Sequence, residues 1–508
     1  MTDQAKSWFL REYHDWKHVF GVCFLLNVLA YGTYITNATY APDDYLNLLA
    51  KVDQAASGRW FAGFIYNCLL QANYLPALTP FICIASYIFT GIGLCKLWGV
   101  QKKSLSVAVI ALWSLHPYLL DAYNYRMAAA IFALVYLMAV AALLWARKGN
   151  SGILLSILLY YLALSTYQAV LGFTISVIMI QILITGFRDD FTRKAFDASK
   201  KALWTWGIML FVSVILYFLL TKATFVLFDI QPTLRIKAGF ITTLDQLWTK
   251  VGWLALTLAI RVLPVPEYVL PLLGKLTLFG ITVAGVFAAI RKTTQWTSAV
   301  LVFLWILAIL VGAVSFMIPL AASDLPWRVC MGLVVLAAGL FVITQESSSW
   351  FIRKTALLLA VFLIAYFIVT DNAVLYKQLL RNQKDILLAN RMLSHIEASE
   401  DYRPGMKLVL VGNYSPDYFT KEGKTPWQIV KEYTKNCMKR QYSLASSPFE
   451  TDWSKYGIFL KYLDAKVQQG SPQMEHTAAL LAAGRKPWPD PSSVFIHENM
   501  AIVVLSLP

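Results

Sequence analysis

From Leu203 to Leu220 the chain reads LWTWGIMLFVSVILYFLL, eighteen residues without a charge. A helix of that length crosses a hydrocarbon core of about 30 Å, and it pairs its own backbone N–H and C=O groups while doing so. The pattern recurs. Apolar runs at 18–37, 74–95, 104–120, 128–146, 152–166, 168–186, 203–222, 270–290, 297–319, 329–345 and 355–371 predict a polytopic α-helical membrane protein of about eleven spans. Composition agrees, because only 14% of the 508 residues are charged and 58% are hydrophobic. A water-facing surface needs about 25% charge.

The formal net charge of +15 raises the question of nucleic acid, and the positions of the charges answer it. Basic residues gather between the runs, at Lys96/Lys102/Lys103, Arg147/Lys148, Arg188 through Lys201, Arg291/Lys292 and Arg353/Lys354. Such clusters mark cytoplasmic loops and touch lipid headgroups, so no nucleic-acid partner is expected. With Lys6, Arg11 and Lys17 ahead of the first run, the N-terminus is placed in the cytoplasm. Alternation then puts every cluster inside and the C-terminal region outside, which in a bacterium is the periplasmic face of the inner membrane. The first twenty residues lack a small-residue cleavage site and predict no removable signal peptide. Six cysteines form neither a disulfide framework nor a zinc pattern.

Two stretches fit a span poorly. Residues 61–72 are too short to cross and predict a helix lying along the interface. Residues 240–264 carry Asp245, Lys250 and Arg261 and predict an outer-surface or re-entrant helix, with a pair of extra spans as the alternative. Beyond Asp371 the composition turns polar. Leu379, Leu380, Ile386, Leu387, Met392, Leu393 and Ile396 recur at helical intervals, and MKLVLVG and VFIHENMAIVVLSL read as strands. The expectation is a transmembrane body over 1–371 followed by a small periplasmic α/β domain over 372–508.

Chemistry concentrates in the predicted outer loops. The first, TYAPDDYLNLLAKVDQAASGRW, holds adjacent Asp43 and Asp44 and then Arg59. A carboxylate beside a lipid surface can act as general base on a hydroxyl. Equally, Pro-Asp-Asp is a helix start in which Asp44 accepts backbone N–H groups. HPYLLDAYNYRM adds His116, Asp121, Tyr125 and Arg126; QPTLRIKAG adds Arg235 and Lys237; SDLPWRVC adds Asp324 and Arg328. Guanidinium forks match phosphate oxygens bidentately, although a single arginine at this depth often only anchors a span. Tyr167 and Gln168, in the turn LSTYQAV, are placed where an aromatic ring and an amide hold a sugar, or where a tyrosine joins the interfacial belt. The chain lacks a nucleotide-binding glycine loop and a His-Glu-x-x-His zinc motif, which argues against a nucleotide-driven pump and a zinc protease. Few charges lie mid-span, which disfavours an ion-coupled transporter.

The loop APDDY…SGRW, followed by HPYLLDAYNYRMAAAIFAL and LALSTYQAVLGFTISV, resembles the bacterial O-antigen glucosyltransferases, the serotype-converting enzymes of the membrane-embedded GT-C class. The resemblance covers roughly the first 370 residues. It implies undecaprenyl-phosphate glucose as donor, made and flipped by a separate synthase and flippase. It implies O-antigen or a related lipid-linked glycan as acceptor, and an inverting transfer. The acid serving the acceptor hydroxyl falls on Asp43 or Asp44, with Asp44 slightly favoured. Arg126, Arg235, Arg328 and then Arg59 are the candidates for the donor phosphate. Asp121, Tyr125, Tyr167, Gln168 and Asp324 are those for sugar or acceptor. No cofactor is required, and a divalent cation is compatible with the class. Two alternatives stay open: a transferase of another polyprenyl-linked sugar or an O-antigen polymerase, and a non-enzymatic glycan flippase.

Overall fold

The computed structural model describes residues 3–47, 54–73, 75–191, 193–233, 239, 241–293, 296–320, 326–414, 447–450 and 454–506. In chain order the body comprises α1 (Asp3–Thr36), α2 (Pro42–Asn47), α3 (Trp60–Phe64), α4 (Leu78–Trp98), α5 (Lys103–Ser114), α6 (Leu120–Asn124), α7 (Ala129–Trp145), α8 (Asn150–Leu164), α9 (Val170–Arg188), α10 (Arg193–Leu227), α11 (Leu244–Val262), α12 (Leu272–Lys292), α13 (Trp296–Ala313), α14 (Met331–Glu346) and α15 (Trp350–Glu397). Among the described residues, eight helical segments are long and apolar enough to cross a membrane: His14–Thr36, Leu78–Trp98, Lys103–Asn124, Ala129–Lys148, Val170–Arg188, Lys200–Leu227, Leu272–Lys292 and Trp350–Glu397. Each coincides with an apolar run read from the sequence. The other three runs correspond to α8, α13 and α14, where the apolar stretches are shorter. These helices fit a membrane protein.

Small residues set the closest helix crossings. A Cβ at Gly93 would lie 2.4 Å from Val140 of α7, and one at Gly339 would lie 2.3 Å from Ile180 of α9. Without these glycines the backbones could not approach as they do. The loops sort into two ends. At one end Lys96 pairs with Glu12, Arg188 Nε donates to Glu346 at 2.9 Å, and Lys292 lies 3.0 Å from Asp190. The other end carries α2, α3, α6, α11 and the turn at 327–329.

The sequence placed a boundary near Asp371, and the helix runs straight through it. α15 is 48 residues long, about 72 Å at 1.5 Å per residue. No glycine or proline interrupts Trp350–Glu397, so nothing in the backbone forces a stop. Its far half carries the C-terminal domain: β1 (Lys407–Val411), β2 (Gln468–Gln469), α16 (Pro472–Leu481), β3 (Val494–His497) and β4 (Met500–Val504). The sheet order is β2-β1-β4-β3, with β1 parallel to both neighbours and β3–β4 an antiparallel hairpin. Every residue of β4 is buried, as a central strand covered on both faces requires. Leu408, Leu410 and Val503 pack with Leu388 and Met392 of α15 on one face. Val409, Ile502 and Val504 pack with Ala478 of α16 on the other. The two strand stretches expected from the sequence are the two central strands and their edge partner.

Candidate active site

Asp44 is 2% exposed and binds backbone on both sides. Its Oδ2 accepts the N–H of Ala41 at 2.9 Å and that of Arg126 at 2.9 Å, and Oδ1 accepts the N–H of Met127 at 3.3 Å. The helix-start reading of Pro-Asp-Asp therefore describes its contacts, with one difference. Two of the three donors come from chain 82 and 83 residues away, so Asp44 nails α2 to the segment that follows α6. Burial pushes its carboxyl up to about 7, the three N–H donors pull the other way, and neighbouring Asp43 adds to the rise.

Asp43 is half-buried and acts electrostatically on Arg328. Arg328 lies in the short turn Trp327–Val329 and is held on several sides. Its Nη1 donates to both oxygens of fully buried Asp121 at 3.0 Å, and its backbone N–H donates to Asp121 Oδ2 at 3.1 Å. The guanidinium carbon sits 4.5 Å from the centroid of the Tyr125 ring, and Tyr136 OH donates to the Arg328 carbonyl at 3.1 Å. Burial alone would weaken this cation, but Asp121 together with Tyr125, Tyr167 and Asp43 raises its pKa well above the usual arginine value. Nε and Nη2 make no hydrogen bond among the described residues.

The first loop closes the other side. Arg59 Nε donates to Gln168 Oε1 at 3.1 Å and stacks 5.0 Å over Tyr167. The Gln168 amide nitrogen donates to Ser57 O at 3.0 Å and to Tyr217 OH at 2.8 Å. Through these contacts the amide holds the Arg59 loop. Gly58 is needed there: its φ is +68°, and a Cβ would lie 2.5 Å from Tyr217 OH. Tyr167 meets Phe132 edge-on at 4.8 Å, and Phe132 meets Tyr125 at 6.2 Å. This aromatic wall joins the Arg59 side to the Arg328 side. Arg126 is 1% exposed with its guanidinium 3.8 Å above the Tyr34 ring. His116 packs between Tyr118 and Phe367 in the interior.

Asp43, Asp44, Arg59, Asp121, Tyr125, Arg126, Tyr167, Gln168 and Arg328 are thus gathered at one end of the bundle. Arg235 and Asp324 lie outside the described residues. Sequence reasoning passed over Glu267. This buried carboxylate accepts from Tyr118 OH at 2.6 Å and from Trp327 Nε1 at 3.2 Å, and pairs with Arg261 and with Lys275 at 2.5 Å. It fastens the turn that carries Arg328. Its signal was an acid six residues after Arg261 in RVLPVPEY. Tyr34 and Tyr217 gave no local signal. Among the described residues, no group of three or more His, Cys, Asp or Glu side chains is arranged to hold a metal.

A half-exposed carboxylate beside a fixed guanidinium can take a proton from a hydroxyl and meet an anionic leaving group, a pairing suited to transfer from a phosphate-activated donor. The model of the family described as Glucosyl transferase GtrII matches residues 32–379, more than half of the chain, and the chain belongs to that family. It is therefore a glucosyltransferase of glycan modification, with a sugar donor and a glycan acceptor. The match holds every candidate site residue and stops short of the sheet domain. No curated protein and no solved structure matches the chain.

Proposed function

We propose that the chain moves glucose from undecaprenyl-phosphate glucose to O-antigen, or to a related lipid-linked surface glycan, on the periplasmic face of the bacterial inner membrane. The observation that carries this reading is half-buried Asp43, whose charge acts on an arginine that Asp121 and Tyr125 hold in place. Asp43 takes the proton of the acceptor hydroxyl. The acceptor oxygen forms the new bond to the anomeric carbon from the face opposite the phosphate. The bond from that carbon to the phosphate oxygen breaks, and its electron pair leaves on undecaprenyl phosphate. Configuration at the anomeric carbon inverts.

Arg328 meets the charge developing on the leaving phosphate, with Arg126, Arg59 and Arg235 adding positive potential. Such preorganised donors are the largest catalytic contribution in many enzymes. Tyr125, Tyr167 and Asp324 frame the sugar and the acceptor, while Asp121 and Gln168 act through the arginines they hold. Asp44, with both oxygens engaged by backbone, is the fastening of the acid helix, and Asp43 takes the base role. No step is routed through a metal. The basic clusters at the opposite end support a cytoplasmic N-terminus and a periplasmic C-terminal domain.

The test is a reconstituted transfer of radiolabelled glucose from undecaprenyl-phosphate glucose to a lipid-linked O-antigen extract. Label appears in the glycan with the wild-type chain and not with Asp43→Asn. Movement of donor between leaflets without any transfer would convert the assignment to a flippase.

A further inference from the structure

α2 is six residues long, too short to hold its own shape. Asp44 secures it to the transmembrane body; its other side is held by the C-terminal domain. Asn382, in the far half of α15, pairs with both backbone groups of Tyr40: Oδ1 accepts the Tyr40 N–H at 2.8 Å, and Nδ2 donates to the Tyr40 carbonyl at 2.9 Å. Tyr45, directly after the acids, is fully buried in the same core as Met392, Leu410 and Val503. The Tyr462 ring meets those of Tyr40 and Tyr45, each at 5.7 Å between centroids. At Gly457 the domain's backbone lies against that of α2. A Cβ there would lie 2.9 Å from Leu46 N and 2.9 Å from the Tyr45 carbonyl carbon. Neither neighbour is a flexible side-chain end that could move aside.

We infer that the C-terminal domain is a working part of the active site, and that Asn382, Gly457 and Tyr462 are positioning residues that set the direction from which Asp43 meets the acceptor hydroxyl. All three lie beyond the matched family region, which ends at residue 379. The inference rests on Asp43 as the base. Ordinary van der Waals contact at Gly457 would need a shift of about 0.5 Å of α2 backbone, and a misplacement of about 1 Å at reacting atoms costs on the order of 100-fold in rate. The donor side is held by Arg328, Tyr125 and Arg59 on other elements, so the penalty falls on turnover rather than on donor binding.

The experiment measures kcat and donor KM per folded molecule for full-length Gly457→Ala, Asn382→Ala and Tyr462→Ala, with Asp43→Asn and the surface variant Lys466→Ala in parallel. Gly457→Ala is expected to lower kcat about tenfold or more, with donor KM changed less than about twofold. Tyr462→Phe, which keeps the ring, is expected to restore what Tyr462→Ala loses. If Gly457→Ala folds poorly, the Tyr462 pair decides. Unchanged kcat in both Gly457→Ala and Tyr462→Ala, while Asp43→Asn is inactive, overturns the positioning role and leaves the reading of Asp43 intact. An active Asp43→Asn overturns both.

Discussion

Adjacent Asp43 and Asp44 should respond oppositely to substitution, and the contacts give the sizes. Asp44→Ala would leave three backbone N–H groups without their acceptor. At about 1 kcal/mol or more for each buried orphan, the loss is about 3 kcal/mol or more of stability. Asp44→Asn keeps an oxygen for the two 2.9 Å bonds and gives up only the 3.3 Å bond to Met127, a cost of about 1 kcal/mol. Transfer should stay within about tenfold of wild type. Asp43→Asn should leave stability within about 1 kcal/mol and remove a general base, worth about 10²- to 10⁴-fold, or about 3–5 kcal/mol of barrier. The pH dependence separates the two again. The Asp44 carboxyl rises from its ordinary 3.8 to about 7 in the folded chain, so its stabilising contribution is complete below about pH 4 and is lost as pH rises through 7. That difference is up to about 4 kcal/mol. The wild-type thermal midpoint should therefore carry a component that falls between about pH 4 and pH 7, absent in Asp44→Asn. The assays are thermal unfolding in detergent and the glucose-transfer rate. An inactive Asp44→Asn beside an active Asp43→Asn would exchange the two roles and refute the reasoning.

Arg328→Lys keeps a positive charge but loses the fork that holds Asp121 and, in the proposed reaction, meets the phosphate; kcat should fall about 100-fold in the transfer assay. Gly58→Ala puts a side chain at φ +68° against Tyr217 and displaces the Arg59 loop, so donor KM should rise several-fold, measured by donor titration. Incubation with EDTA, followed by the same transfer assay, should leave the rate unchanged; a loss restored by magnesium would place a cation in the mechanism.

Several parts of this molecule were legible because they rest on composition over many residues. Eight segments of span length, and the gathering of acids and arginines at one end, follow from apolar runs and from alternation. The roles within the cluster were not legible, because they depend on partners far away in sequence. Nothing in APDDY shows that Asp44 will meet the N–H groups of Arg126 and Met127, or that Asp121 will be covered by Arg328. Nothing in LSTYQAV shows that Gln168 will donate to Ser57 and Tyr217, which are brought to it only by folding. The helix at 350–397 was read as two because polarity changes near Asp371, and polarity sets which face is buried rather than where a backbone ends.

That uninterrupted rod ties the lipid to the chemistry in a mechanical sense. A helix in a thinner or thicker bilayer adjusts by tilting, and α15 cannot tilt at one end alone. From Asp371 to Glu397 it extends about 40 Å, so a tilt of about 5° displaces its far end by about 3 Å. Asn382 and the domain core grip the acid helix along that lever. If the domain positions Asp43 as inferred above, bilayer thickness acts on turnover, and the enzyme's rate in vesicles of graded acyl-chain length should pass through an optimum.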